Sequence, residues 1–447
     1  MSDATSPSSP NPAPALIPWR VQLPVYGAAM FSNSSLHLYN VVVPLWTATL
    51  TRDPLIIGIV LGARHILPML LLIHGGAMMD RFGTRRVMMI FASAAVVIPM
   101  LYPAAPLIPM LILFQMFGGL AVMTTWIGAQ SLTGSLMRGQ PIYTGRLTLA
   151  TRIGTIFGPP TVGVIWDVVG AWWAFSFLSL WAVLTIVSTF FVPETAKPKV
   201  AADAPPKTAT TIRDIMPKLS DYLDAFRLVA IPAIGLVFMV TILRHSGVAM
   251  QSNFYVIYLD GIGISGTMIG ILFSVLGAVG GVGAISTGWL ATKFSNRRIL
   301  LSSIALGVFM MTITPIIGWT GFTMDVAPVA AIFDLLGLDI DLAPVAGVLG
   351  LYFLFVIAIA IRGATSGVAQ AMEISIIAQA AGAAQGKGAA LRVTAGRLAA
   401  VFLPILMGAI AKVFGLEVSF FIVGGGILAV LGWLAIRDSG AQEKPNA

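Results

Sequence analysis

Long apolar stretches recur along this chain, most of them about twenty residues or more in length, and short polar segments separate them. A helix needs about 20 apolar residues to cross the hydrocarbon core of a bilayer. Only 10% of the 447 residues are charged and 57% are hydrophobic, whereas soluble domains carry about a quarter charged residues. The pattern predicts an all-α polytopic membrane protein with twelve transmembrane helices, and such continuous runs exclude an outer-membrane β-barrel.

The predicted spans form two groups of six, separated by a polar stretch. The first group is 22–50, 55–79, 84–102, 107–137, 145–168 and 172–192, and the second is 231–259, 267–291, 299–320, 345–380, 390–414 and 418–436. We therefore expect two six-helix bundles, an N-terminal one at 22–192 and a C-terminal one at 230–436, with a cytoplasmic linker at 193–229. A disordered cytoplasmic tail is predicted at 1–21, because this segment is rich in Ser and Pro, and a second cytoplasmic tail at 437–447.

Basic residues indicate the orientation of the chain in the membrane. The loops and tails on the side of both termini hold most of the Lys and Arg residues, whereas the opposite loops hold only Arg52 and Lys412. The longest opposite segment, 321–344, carries Asp residues but no Lys or Arg. The positive-inside rule therefore predicts that both termini are cytoplasmic. We expect a multi-pass plasma-membrane protein, with a bacterial inner membrane as its location.

Several functional classes lack the residues that they need. The chain has no cysteine, which excludes disulfides and thiolate sites. It contains no HExxH, GxSxG or Walker A sequence, so we expect no enzymatic activity, no cofactor and no metal site. The net charge of +8 follows the loops instead of forming a compact basic domain, so no nucleic-acid partner is expected. The expected partners are a small-molecule substrate, protons and the lipid bilayer, and the functional unit is expected to be a monomer.

Two sequence matches relate the halves to each other. The segment 76–86, GAMMDRFGTRR, matches 288–298, GWLATKFSNRR, at an offset of 212 residues, and Gly58 matches Gly270 at the same offset. At an offset of 245, Arg152, Phe157, Pro159 and Gly163 match Arg397, Phe402, Pro404 and Gly408. Both arginines lie near the cytoplasmic ends of their spans and are expected to snorkel to that surface. A parallel repeat of this kind places a binding site near the midplane, between two halves that rock against each other.

The segment 76–86 resembles the signature G-x-x-x-D-R-x-G-x-R-R that the major facilitator superfamily (MFS) carries between its second and third spans. The resemblance extends over the whole chain through the twelve spans, the central linker and the weaker second copy. It implies the MFS fold, alternating access, and a cavity lined by spans one, four, seven and ten. It also implies a cytoplasmic gate in the outward-facing state, and the alternative is that this loop is only a basic topological anchor. The gate residues are Gly76, Asp80, Arg81, Gly83, Arg85 and Arg86.

Polar residues share one helix face in each of those four spans. A polar side chain in lipid is costly, so such a stripe is expected to face the protein interior or water. The predicted substrate-cavity residues are Asn33, His37, Asn40, Trp126, Gln130, Arg244, Gln251, Tyr255, Arg362 and Gln370.

Glu373 is the only carboxylate deep inside any predicted span. A carboxyl group in that place can hold a proton, so we predict that Glu373 couples transport to protons, and the alternative is a structural ion pair with Arg244 or Arg362. His37 is the second proton-coupling candidate, because histidine titrates near physiological pH. With Arg64, the deep arginines outnumber the acid, which favours an anionic or zwitterionic substrate. The alternative is that they face water or helix carbonyls without a role in binding.

The fifth span carries a second family resemblance. Its segment 152–163, RIGTIFGPPTVG, is similar to the antiporter motif G-P-x-x-G-G through Gly158, Pro159 and Gly163, with Val162 at the penultimate glycine. The arginine that drug–proton antiporters carry in span four is absent. We expect a secondary transporter of a small organic solute, with proton-coupled efflux of a drug-like compound or metabolite as the first hypothesis. The alternatives are a proton-coupled importer of an organic anion or zwitterion, and a non-transporting receptor or scaffold.

Overall fold

The computed structural model describes residues 17–137, 140–193, 232–322, 335, 343–380 and 385–437. Most of the predicted linker, most of both predicted tails, and the segment 323–342 apart from residue 335 lie outside these residues. Helix α1 begins at Trp19, inside the segment predicted as a disordered tail. The described part is all-helical and contains no β-strand. Its helices are α1 (Trp19–Leu50), α2 (Pro54–Ala63), α3 (Ile66–Phe82), α4 (Thr84–Ala104), α5 (Ile108–Leu136), α6 (Pro141–Val169), α7 (Ala171–Phe190), α8 (Pro232–Ser252), α9 (Phe254–Gly261), α10 (Gly266–Lys293), α11 (Asn296–Thr312), α12 (Thr314–Trp319), α13 (Ala343–Ala380), α14 (Gln385–Phe414) and α15 (Leu416–Arg437).

Nine segments of the described chain are long and apolar enough to cross a membrane, with the pairs α2–α3 and α11–α12 each counted as one segment. The other three crossings are α1, α6 and the pair α8–α9. Helices α1 and α6 have 32 and 29 residues, which exceeds the roughly 20 that a bilayer needs, and polar residues lower their hydropathy. The described part of the chain therefore contains twelve transmembrane segments in two six-helix bundles, as predicted.

Three predicted spans are interrupted within the membrane, which the apolar pattern did not indicate. In α2–α3 and α11–α12, Pro68 and Pro315 lie in the first turn of the second helix. Proline has no N–H to donate, and its ring crowds the carbonyl four residues earlier, which for Pro68 is that of Arg64. In α8–α9 the side chain of Asn253 donates to the carbonyl of Ala249 at 2.6 Å. This bond competes with the helical backbone ladder and ends α8 there.

The bundle has two ends, which we name by their loops. The linker face carries the turns around 83, 137–140, 191–193 and 294–295, and the far face carries those around 51–53, 105–107, 170, 262–265 and 415. The two halves meet along two seams: α6 packs against α10, and α14 packs against α2.

Glycines allow the backbones to touch in both seams. A Cβ added at Gly270 of α10 would lie 2.3 Å from the carbonyl oxygen of Pro159, and one at Gly58 of α2 would lie 2.2 Å from that of Pro404. Gly270 and Gly58 differ by the offset of 212, and the two prolines differ by the offset of 245. The two sequence matches therefore mark equivalent contacts, one in each seam.

Both seams end at the far face in a charged contact, with the charge reversed between them. Asp167 accepts backbone hydrogen bonds from Gly266 at 2.9 Å and Thr267 at 2.7 Å, at the start of α10. At the equivalent position of the other seam, Lys412 donates to Asp53 at 2.7 Å. An acid at a helix N-terminus is favourable because it complements the helix dipole. Each contact joins the two halves across the far face.

Acid is expected to weaken the contact between Lys412 and Asp53. The hydrogen bond from Lys412 lowers the pKa of Asp53 below its ordinary value of 3.8, and backbone N–H groups of α2 add to this shift. A lowered folded-state pKa means that the contact is fully present above the ordinary pKa and is lost as the pH falls through the lowered one. Replacing Lys412 by Met should therefore loosen the far face modestly at pH 7, and the difference from wild type should vanish as the pH falls through the lowered pKa of Asp53.

This pH dependence can be read from the spacing of the far face. Spin labels on cysteines at Val168 and Val413, which are 75% and 73% exposed, report that spacing in wild type and variant at each pH. Lys293→Met, the same change at an exposed lysine of the linker face, is the control. A difference between wild type and Lys412→Met that stays constant as the pH is lowered through the acid range would contradict the assignment.

Two arginines cross the seams deeper in the bundle. Arg152 donates to the carbonyl of Gly277 at 2.8 Å, and Arg397 lies 3.4 Å from His65 Nδ1 and 3.1 Å from the sulfur of Met123. Each arginine therefore contacts the opposite half. Both were expected to snorkel to the cytoplasmic surface, and neither does so.

The seam contacts show which end of the protein is open. Among the described residues, the polar contacts between the halves run from the far face to the depth of Arg152 and Arg397. At the linker face, Arg81 and Phe82 are exposed. The structure is thus closed at the far face, and the space between the halves opens toward the linker face.

Candidate functional site

A group of charged side chains lies between α8, α13 and α14, on the open side of the seams. Glu373 of α13 has no exposed surface, and its Oε1 accepts from Nε of Arg244 at 2.7 Å. Its Oε2 lies 4.0 Å from Arg392 and has no hydrogen-bond partner within the described part of the chain. The sequence left open whether Glu373 pairs with Arg244 or with Arg362, and the structure contains the ion pair with Arg244. One carboxylate thus faces two guanidinium groups.

His245 extends this group toward the N-terminal half. Its Nδ1 lies 2.9 Å from the carbonyl of Thr241, and its Nε2 lies 3.2 Å from Arg244. Since a carbonyl only accepts, Nδ1 carries the proton and Nε2 accepts from the guanidinium. The positive charges of Arg392 and Arg397 act on the imidazole ring of His245. We call Arg244, Arg392, Arg397, His245 and Glu373 the arginine cluster.

Arg362 is held inside the C-terminal half instead of joining the cluster. It is 4% exposed and donates to the side chain of Gln251, to the carbonyl of Gly307 at 3.1 Å and to that of Gly247 at 2.7 Å. These neutral acceptors tie α8, α11 and α13 together. Tyr255 is buried with its ring 6.3 Å from that of Phe355. The seventh-span stripe therefore divides, with Arg244 in the cluster and its other two members against α13.

A small cavity lies at the helix breaks. It lies on the far-face side of the cluster, between α1, the α2–α3 break, α5 and the α8–α9 break. Arg64 donates to Asn40 at 2.9 Å and to the carbonyl of Leu36 at 3.1 Å. The cavity is lined by Tyr39, Asn40, Val43, Pro44, Leu61, Arg64, His65, Gln115, Ser252 and Asn253.

The remaining predicted cavity residues lie around the space between the two halves or beside it. Their roles in substrate binding stay predictions. Asn33 and His37 of α1 and Trp126 of α5 are half-buried, whereas Gln130 of α5 and Gln370 of α13 are exposed.

The predicted gate loop is a tight turn between α3 and α4. Gly83 has a φ of 90°, a conformation that favours glycine. Arg81 stacks over the ring of Phe82 at 5.4 Å, and Arg85 donates to the carbonyl of Phe190 at 2.6 Å, within the same half. No described atom lies within 4 Å of a Cβ added at Gly76, and Arg86 is exposed. The side chain of Asp80 lies outside the described residues, so the gate role stays a prediction.

The antiporter-like motif lies at the seam between α6 and α10. A Cβ added at Gly158 would lie 3.0 Å from the side chain of Leu38 on α1. At Gly163 it would lie 2.2 Å from the carbonyl oxygen of Gly266. Together with Pro159, these glycines let α6 pack closely on both α1 and the opposite half.

Sequence reasoning missed several members of the site. Arg392, His65 and His245 were not among the predicted site residues, and Arg397 was expected to snorkel to the cytoplasmic surface. The internal repeat could have indicated Arg397, since Arg397 matches Arg152 at the offset of 245.

Solved structures with the same fold are transporters. The chain superimposes on the nucleoside transporter NupG with a TM-score of 0.69 at 13% identity, covering 94% of this chain and 100% of that one. For a bacterial homolog of the human lysosomal transporter Spinster the TM-score is 0.65 at 12% identity, covering 97% and 100%. For the xylose transporter XylE from E. coli it is 0.59 at 13% identity, covering 96% and 99%.

At these identities the likeness shows the fold alone. A search of curated proteins finds no match to this chain. The family model of the Major Facilitator Superfamily matches residues 25–340, which is more than half of the sequence. This chain therefore belongs to the Major Facilitator Superfamily of membrane transporters.

Proposed function

We propose that this chain is a secondary transporter that moves a small organic anion by alternating access, together with a proton. The arginine cluster carries the proposal. Within the described residues, the guanidinium groups of Arg244 and Arg392 share one carboxylate, Glu373, and Arg397 adds a third positive charge that acts on His245. A partly buried site with surplus positive charge attracts an anion and concentrates it. Arg244 and Arg392 flank Glu373, so a carboxylate or phosphate in its place can bind both.

Coupling to protons follows from competition for Arg244. An anion that binds Arg244 displaces Oε1 of Glu373, which has no exposed surface. A buried carboxylate without a cationic partner is costly, so it takes up a proton from solution and becomes neutral. Anion and proton are then bound together. His37, half-buried on α1, remains the second candidate for the proton.

Joint binding favours uptake over efflux. When anion and proton move in the same direction, an inward proton gradient drives the anion inward. The importer of an organic anion is therefore our first proposal. Proton-coupled efflux of a drug-like compound or metabolite is the second, because Gly158, Pro159 and Gly163 match the antiporter motif and the last two contact α10.

The orientation and the gate complete the proposal. The linker face is cytoplasmic in a bacterial inner membrane, because it carries the basic loops, and the protein works as a monomer. In the outward-facing state the loop with Asp80 and Arg81 closes the linker face. Labelling of single cysteines from either side of the membrane tests this orientation, since the natural chain has none.

Removing a cluster arginine is expected to weaken binding of acids selectively. Arg244→Gln and Arg392→Gln should each reduce the affinity for an acid about tenfold to a hundredfold, because a hydrogen bond to a charged group is worth about 1.5–3 kcal/mol. Affinity for the matched neutral compound should not change. The measurement is ligand-induced thermal stabilisation with two pairs, hexanoate against hexanamide and gluconate against sorbitol.

Arg52→Gln, the same change at an exposed far-face residue, is the control and should behave as wild type. Equal loss of affinity for acids and neutral compounds would overturn the anion proposal.

A further inference from the structure

Arg397 of the arginine cluster lacks the oxygen acceptors that a guanidinium group usually has. Among the described residues, its polar contacts are Nδ1 of His65 at 3.4 Å and the sulfur of Met123 at 3.1 Å. A guanidinium has five N–H donors, and a thioether sulfur is a weak acceptor. The equivalent arginine of the repeat, Arg152, donates instead to a backbone carbonyl. Arg397 therefore keeps donors for an acceptor from outside the described chain.

Arg397 lies apart from the place that Glu373 occupies. Glu373 forms its described ion pairs with the other two arginines of the cluster. The imidazole of His245 lies between Arg244 and the backbone of α14. Its Nε2 is 3.2 Å from Arg244 and would be 2.8 Å from a Cβ added at Gly396, the residue before Arg397. The cluster thus offers two places for an anionic group, one where Glu373 lies and one at Arg397.

The charges of the cluster favour a solute with two anionic groups. Three arginines face the single carboxylate of Glu373, and His245 is neutral because its Nε2 accepts from Arg244. Once an anion displaces Glu373 and this residue takes up a proton, three positive charges remain. One carboxylate would leave two of them uncompensated in a partly buried site, which is costly, and a second carboxylate reduces that excess.

The place at Arg397 can be reached from the space between the halves. Arg397 is half-buried, and it lies where the polar contacts of its seam end and the opening toward the linker face begins. Its side chain belongs to the C-terminal half, whereas His65 and Met123 belong to the N-terminal half. An acidic group bound here lies next to both halves, as a substrate site between rocking halves requires.

We infer that the solute is an organic diacid, with one carboxylate at Arg244 and Arg392 in place of Glu373 and the second at Arg397. This inference rests on the proposed anion transport and adds the number and placement of the acidic groups. It makes Arg397 a specificity-determining residue. A site with donors for a second acidic group discriminates strongly against the analogue that lacks it, because those donors are then left unpaired.

Diacids and their half-amides test this inference. Succinate, glutarate and adipate form a series of increasing length, and the half-amide of each keeps the chain and one carboxylate but replaces the other by a neutral amide. Affinities are measured by thermal stabilisation of the purified full-length protein at about pH 7, where both carboxylates are ionised. At least one diacid should bind tenfold or more tightly than its half-amide, as expected for a hydrogen bond to a charged group.

Variants of Arg397 assign this preference to one residue. Arg397→Gln should weaken the preferred diacid about tenfold or more and leave its half-amide unchanged, whereas Arg244→Gln should weaken both. Arg397→Lys keeps the positive charge and should keep a preference for the diacid, which separates loss of charge from a defect in folding. Arg52→Gln, at the exposed far-face position, is the matched control and should behave as wild type.

The possible failures are distinguishable. Diacids that bind no more tightly than their half-amides, or an equal loss of both in Arg397→Gln, would overturn the diacid inference and leave the anion proposal standing. Half-amides and diacids that bind no more tightly than the corresponding neutral diamides would overturn the anion proposal itself. If no diacid stabilises the protein, the diacid inference fails.

Discussion

Leucine in place of Gly270 is expected to hold the far face open. The added Cβ would lie 2.3 Å from the backbone carbonyl of Pro159, and a backbone atom cannot rotate away as a side chain can. Overpacking a close contact costs about 1–3 kcal/mol, which shifts the population of the closed far face roughly fivefold to a hundredfold. Gly58→Leu should do the same in the other seam, since its Cβ would lie 2.2 Å from Pro404.

The measurement is the distance between spin labels at Val168 and Val413, one on each half at the far face. The natural chain has no cysteine, so the labels need no other substitution. Wild type should give a short distance and Gly270→Leu a longer one. Gly425→Leu on α15, where a Cβ meets no described atom, is the matched control. A distance in Gly270→Leu equal to that of wild type would contradict the seam assignment.

Much of this fold could be predicted from the sequence, because a lipid environment constrains it so strongly. Continuous apolar runs predicted the membrane crossings. The sequence match of Gly58 with Gly270 identified two glycines that lie at equivalent points of the two seams. The helix breaks were missed, since hydropathy does not register local backbone competition. Pro68 was visible in the sequence. Proline is common in membrane helices, however, so its presence alone did not indicate that a new helix begins there.

The site was less predictable, because helical spacing gives the direction of a side chain but not its partner. Arg244 and Arg362 lie on comparable stripes, yet only Arg244 meets Glu373. Arg362 instead donates to neutral acceptors. Arg397 enters the cluster because α14 packs across the seam on α2, a tertiary contact that no local pattern contains.

Replacing Glu373 by Gln is expected to remove the dependence of anion binding on pH. In wild type, the anion and a proton bind together, so affinity should fall about tenfold for each unit of rising pH over the range where Glu373 must gain the proton. Glutamine keeps the shape and one acceptor oxygen for Arg244 but takes up no proton. The variant should therefore lose this dependence on pH.

Binding constants for gluconate and hexanoate at each pH provide this test. Arg52→Gln should keep the slope of wild type. Glu417→Gln, at an acid of the far face that accepts from Trp319 at 3.0 Å, is the matched carboxylate control and should keep it too. A Glu373→Gln profile as steep as that of wild type would remove Glu373 from the coupling step.

Proton movement driven by an anion gradient tests the central claim most directly. Purified protein is reconstituted into liposomes that contain a pH-sensitive dye, and the acid that binds most tightly is added outside without a pH gradient. The account predicts that the lumen becomes acidic with wild type, and that with Glu373→Gln it changes no faster than in protein-free vesicles. An alkaline change with wild type, or no change beyond that of protein-free vesicles, would contradict joint transport of anion and proton.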